Sequence, residues 1–183
     1  IDDAEALARI PGVTAVVPTT FATARVEAGG RGRNVGVNGG TPGMESAFLL
    51  RARIGGFWPR GDPRRGASVA VLGPKLAAEL FGDQSSLGEF VRVGSARLRV
   101  VGVMEPKTLR KGRASVIKLR NVNQDVYLPI TTASLWLPDA TELGSVSEIA
   151  LRVDAAEAVS GTAQIAKRLL TRSHPGVEDF HVV

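Results

Sequence analysis

The chain contains no cysteine. Disulfide frameworks, thiolate nucleophiles and cysteine-ligated metals are thereby excluded. The redox compartment stays open, because a cysteine-free chain suits either environment. Histidine is nearly absent too: only His174 and His181 occur. A metal site would need both, with carboxylates such as Glu178 or Asp179. A helix-terminal His174 bonded locally is the simpler reading. Aromatic residues make up 5%, which is thin for a surface on which single-stranded bases stack. No apolar run reaches the roughly 18 residues that would mark a membrane span. The opening IDDAEALARI is acidic and amphipathic, unlike a signal peptide, and reads as the start of an excised domain.

The usual catalytic patterns are missing as well. No Gly-x-Ser-x-Gly elbow is present for acyl transfer. Val71-Leu72-Gly73-Pro74-Lys75 has the strand–glycine–helix order of a phosphate site. It lacks the second glycine and the Ser or Thr after the lysine, and Pro74 removes a backbone donor. Gly36-Val37-Asn38-Gly39-Gly40 lacks dinucleotide spacing. The neighbouring carboxylates Asp2-Asp3 and Glu178-Asp179 would point apart on a strand. Neither catalysis nor a bound cofactor or metal is expected of this chain.

What is present suits a folded domain. There are 183 residues, 44% apolar, enough for one domain or two small subdomains. The net charge of +5 permits nucleic acid, anionic lipid or an acidic protein as partner. Ser68–Gly82 organises the chain. Val69–Leu72 reads as a buried strand, Gly73 breaks it, and Pro74 sits at a first helical position, where its missing N–H costs nothing. Leu76, Ala77, Leu80 and Phe81 share one helix face, and Gly82 ends the helix.

On the N-terminal side, a short helix runs to about Arg9, capped by Asp2 or Asp3. Val13–Pro18 follows as a strand. Phe21–Val26 alternates as a second strand or a continuation, and Arg33–Asn38 returns as its hairpin partner. Glu45–Arg53 is ambiguous. Ile54–Gly66 reads as a loop anchored by Phe57 and Trp58. Its Arg60-Gly61-Asp62 triplet is too short to carry an adhesion reading.

On the C-terminal side, Glu89–Val93 and Ala96–Met104 form a hairpin about Gly94-Ser95, with Leu98 and Val100 on the core face. Asp125–Ile130 is a strand, and Thr131 or Thr132 caps a short helix after it. Ser147–Val153 alternates as a strand. Asp154 with Glu157 resembles a capping box. Val159, Ala163, Ala166 and Leu170 then make a helical stripe with Leu169 beside it, and Phe180–Val183 is a last strand.

The two ends echo each other. Each carries an amphipathic helix, then Pro-Gly-Val (residues 11–13 and 175–177), then a strand. The expected class is therefore α+β, with a βαβ lobe built from both ends, residues 1–84 and 145–183. Residues 85–144 form an inserted β-rich lobe, with boundaries placed to within about 15 residues.

This order of pieces resembles the periplasmic core domain of MacB-like ABC transporter permeases, a group that includes the lipoprotein-releasing Lol permeases. The pieces are VAVLGPKLAAELFG, GEFVRVGSARLRVVGVME, DVYLPIT and the closing HPGVEDFHV. The resemblance implies an extracytoplasmic domain between the first and second of four membrane helices, in which the βαβ lobe from the chain ends is porter-like. It implies a cytoplasmic ATP-binding domain or subunit, a dimer in the full transporter, and mechanotransmission through the membrane. A periplasmic adaptor or lipoprotein is a further implied partner. The fragment alone is expected to be monomeric, because its surface is charged and no heptad seam exists.

One stretch departs from the family pattern. Lys107, Arg110, Lys111, Arg113, Lys118 and Arg120 fall in a run with no acid after Glu105. With Phe57 and Trp58 these are the candidate partner contacts. A solvated loop is the preferred reading of the run. The alternative function is a basic module for nucleic acid or anionic lipid, using this run with Arg60, Arg64 and Arg65. No nucleic-acid partner is expected.

Overall fold

The structure, a computed structural model, describes residues 2–58, 67–107, 122–136, 146–175 and 180–182. Its longest element is β1 (Val13–Ala28), one unbroken strand of 16 residues. Of the two readings open for Phe21–Val26, a second strand or a continuation of Val13–Pro18, it is the continuation. Proline lacks a ladder donor, but Pro18 still pairs with Ile149 of β8 (Glu148–Val153).

Beyond Thr19, β1 changes partners. Its second half pairs antiparallel with β2 (Arg31–Gly40), from Thr19↔Gly40 to Ala28↔Arg31. Near its end it also meets β5 (Phe90–Val93) through Val26↔Val93. β5 forms the expected hairpin with β6 (Ala96–Met104). β6 runs parallel to β4 (Val69–Leu72), and β4 pairs with β7 (Val126–Pro129). β7 runs parallel to β2. The path β2-β7-β4-β6-β5-β1 thus closes on itself through the β1–β2 ladder. Closure removes the exposed edges that an open sheet would present.

Alternation along the strands fills this ring. Ala22, Val26, Val35, Val37, Ala70, Leu72, Val91, Val93, Leu98, Val100, Val126 and Leu128 point into one buried cluster. α3 (Pro74–Phe81) adds Leu76, Ala77 and Leu80 to it. Pro74 opens that helix and Gly82 follows it at φ 63°, as the sequence predicts. Ala133 of α4 (Ile130–Trp136) joins the same cluster. That helix begins at Ile130, so neither Thr131 nor Thr132 is its cap.

A second cluster lies outside the ring. Val17, Met44, Phe48, Leu50, Trp58, Val71, Met104 and Tyr127 form it. The ambiguous stretch 45–53 supplies α2 (Met44–Ala47) and leads into β3 (Ala52–Gly55), which pairs with β6. The third cluster belongs to the chain ends. Leu7 of α1 (Asp2–Leu7), Ile10 and Ala166 of α5 (Val159–Ser173) pack with Ile149 and Leu151.

The architecture is α+β, and both chain ends contribute to one unit of α1, the first half of β1, β8 and α5. Residues 85–144 do not form a sheet of their own among the described residues. The β4–β6, β1–β5 and β2–β7 pairings all cross the boundary expected at 84/85.

Three local expectations are corrected. Asp154 does not cap α5: a 3-10 turn over Ala156–Ala158 intervenes, and the helix starts without a side-chain cap. Its buried face carries Thr162 and Ala166, while Val159 is exposed. Phe180–Val182 form no strand, and the Phe180 ring lies 6.2 Å from that of His174.

Candidate functional site

The handover at Thr19 is the structural centre of the molecule. Thr19 pairs with Gly40 on one edge of β1 and with Glu148 on the other. Its carbonyl accepts from Ser147 N–H at 2.8 Å, and its hydroxyl donates to Glu148 O at 3.3 Å. Phe21 N–H donates to Ser147 Oγ at 3.0 Å. One strand therefore carries continuous bonding from the end unit into the ring.

Glycines opposite this handover let both helices close on it. A Cβ at Gly39 would lie 2.5 Å from Ala133 Cβ and 2.7 Å from Thr20 Cγ2. At Gly40 it would lie 2.4 Å from Met44 Sδ. The ring core and the outer cluster approach from the two faces, and only hydrogen fits between. Burial holds the nearby Glu148 carboxyl above its usual pKa.

Beside the handover is a cleft of about 220 Å³, lined by Phe21, Thr23, Arg33, Gly36, Glu79 and Asp125 among others. Asp125 is buried and accepts from Asn38 Nδ2 at 3.2 Å. Arg33 and Glu79 form an ion pair at 3.1 Å, tying β2 to α3. Its lining holds no serine, cysteine or histidine; its carboxylates are Glu79, paired with Arg33, and Asp125, bonded to Asn38. Among the described residues no three His, Asp or Glu cluster as a metal site.

The sequence-predicted contacts are placed differently from one another. Trp58 is buried, 7% exposed, and Phe57 is half-buried. Their rings lie 5.5 Å apart, and Phe57 meets Tyr127 edge-on at 6.3 Å. Trp58 is core, which corrects its reading as a partner contact. Lys107 is tied down. Its Nζ donates to Phe48 O at 3.0 Å at the end of α2. Its backbone is clamped by both amide atoms of Asn123, at 2.8 and 2.9 Å. Arg110, Lys111, Arg113, Lys118 and Arg120 lie outside the described residues, as do Arg60, Arg64 and Arg65.

His174 Nε2–H donates to Asp3 Oδ2 at 3.0 Å, joining α5 to α1. Sequence reasoning missed the Asn38–Asp125 pair and the Thr19 handover. Each joins segments more than 80 residues apart, and no local period announces such a contact.

The fold is a closed mixed ring joined through one strand to a helix-covered unit from the chain ends. The family model described as MacB-like periplasmic core domain matches residues 1–169, and the chain belongs to that family. It is similar to the macrolide export ATP-binding/permease protein MacB of Shewanella sp. (strain W3-18-1), 28% identical over all of this chain and 27% of that protein. Among solved structures, it resembles the extracellular domain of the noncanonic ABC-type transporter YknZ from Gram-positive bacteria. The TM-score is 0.82 at 21% identity, covering 100% of this chain and 87% of that one. The periplasmic region of MacB from Actinobacillus actinomycetemcomitans matches with TM-score 0.78 at 19% identity, covering 100% and 77%. The chain spans about a quarter of the length of the curated relatives it matches.

Proposed function

We propose that this domain carries motion between membrane helices of an ABC transporter and a partner outside the membrane. ATP would be hydrolysed on a cytoplasmic domain or subunit, with the transporter working as a dimer. A periplasmic adaptor or lipoprotein would be the outer partner, and the isolated domain would be monomeric.

One observation supports the reading: β1 belongs to both units. Its Val13–Thr19 half is bonded to β8 and its Thr19–Ala28 half to β2. A displacement of the end unit would then be carried into the ring, because the two units share one extended strand and Thr19 is paired on both of its edges. The tight contacts at Gly39 and Gly40 stiffen the same point.

The test lengthens β1 by two residues, Gly-Gly, between Pro18 and Thr19 in the full transporter. Side-chain alternation has a period of two, so both halves keep their inward faces. ATP hydrolysis should persist while transport is lost. Transport retained at the original ratio to ATP hydrolysis would overturn the proposal.

A further inference from the structure

The outer face of β1, β5 and β6 carries a concentration of arginine that the coupling reading does not use. Arg25 and Glu27 project from β1, Phe90 and Arg92 from β5, and Arg97 and Arg99 from β6. The register places them on one face: Glu27↔Arg92, Arg92↔Arg97 and Phe90↔Arg99 are direct partners. The inward residues between them, Val91, Val93, Leu98 and Val100, are buried. All four arginines are exposed.

The charges on this face are unbalanced. Glu27 is its single carboxylate, and both Arg25 and Arg92 bond to it. Arg97 has no carboxylate partner among the described residues and lies over the Phe90 ring at 4.1 Å. Phe90 is left 47% exposed beneath it. Like charges directly opposite on neighbouring strands destabilise a sheet, yet Arg92 faces Arg97. Glu27 already meets the charge of Arg92, which leaves Arg97 and Arg99 as the arginines of this face with no carboxylate partner among the described residues.

We infer that this face docks an acidic polypeptide segment, with carboxylates seated on Arg97 and Arg99 and an apolar side chain against Phe90. Arginines two residues apart on β6 are separated by about 6.8 Å, the distance between alternate side chains of an extended segment. The face spans two strand spacings, about 10 Å across, which suits a short segment better than a plane of lipid. A single exposed aromatic is also a poor membrane anchor, since interfacial binding needs a broad apolar face. Guanidinium–carboxylate pairing is planar and can be bidentate, so the contact is selective for carboxylate geometry.

The test uses the 183-residue chain and a short fluorescein-labelled oligoglutamate peptide, read by anisotropy at low salt. R97E/R99E should weaken binding by about 10-fold or more, since each charge-assisted contact contributes severalfold. R51E/R168E reverses the same number of charges elsewhere and should change binding by less than about 2-fold. Both pairs are exposed, so thermal midpoints should stay close to that of the original chain, which confirms folding. Four results would overturn the inference. These are no peptide binding, equal loss in both variants, tighter binding to phosphatidylglycerol vesicles than to peptide, or self-association abolished by R97E/R99E.

Discussion

Gly73→Ala tests the joint between β4, α3 and the segment before β7. A Cβ there would lie 2.5 Å from both the carbonyl carbon and oxygen of Asn123, and 2.9 Å from Val122 O. Ordinary contact begins near 3.4 Å, so the backbone must give by about 0.9 Å. These are main-chain atoms, and they cannot swing aside as a flexible side chain would. The same atoms bond α3 to this segment. Lys75 N–H donates to Asn123 O, and Gly73 N–H to Asp125 O, both at 2.8 Å. A shift of that size takes either bond past useful range. Two lost bonds at about 1 kcal/mol each, with about 1–3 kcal/mol of overpacking, oppose a gain of up to about 1 kcal/mol from a stiffer unfolded chain. The net expectation is destabilisation by about 2–4 kcal/mol. Urea denaturation at 25 °C measures it directly, and Tm should fall by roughly 5–15 °C. Gly161→Ala is the control. It lies in α5 with nothing within 4 Å of the added Cβ, so it should gain about 0.5 kcal/mol. A loss below about 0.5 kcal/mol for Gly73→Ala would refute the packing argument.

Three further substitutions probe other links. The Tyr127 hydroxyl is buried with no hydrogen-bond partner among the described residues, and burial, with Asp125 nearby, raises its pKa well above the usual range. Tyr127→Phe should stabilise by about 1 kcal/mol in urea denaturation, and a comparable loss would reveal a bond to that oxygen. Trp58→Ala should cost about 3–5 kcal/mol, because the ring fills the outer cluster. An unchanged Tm would return Trp58 to the surface. Burial raises the Glu148 pKa, so its contribution is favourable below the unfolded value and is lost as pH rises through the folded one. Glu148→Gln should therefore stabilise at pH 7 and have little effect near pH 4. A gain of equal size at both would point to a cause other than charge.

The sequence by itself determined the elements whose cause is local. Val69–Leu72, Gly73, Pro74 and Gly82 specify strand, break, helix start and helix end through backbone preferences that need no distant partner. The Gly94-Ser95 hairpin and the inward set Leu98 and Val100 follow from turn chemistry and a period of two. The repeated helix–Pro-Gly-Val pattern led to the expectation that the chain ends lie together, but the strand that pairs with β1 is β8, ahead of α5, and Phe180–Val182 form no strand. The order of the pieces also pointed to the family.

Tertiary structure decided what depends on segments far apart. Whether Pro18 ends a strand was settled by β8, which offers a partner there. The face of α5 that turns inward was settled by Leu7 and Ile10, so Thr162 is buried and Val159 is not. Trp58 carries no sign in its own neighbourhood that Val71 and Tyr127 will cover it. The Thr19 handover needs β2 and β8 on opposite edges of one strand. The arginine face needs β1 beside β5, and only ring closure brings residues 25–27 against residue 92. Local preference acts over a few residues of chain, whereas these contacts exist only once the backbone has returned to the same place.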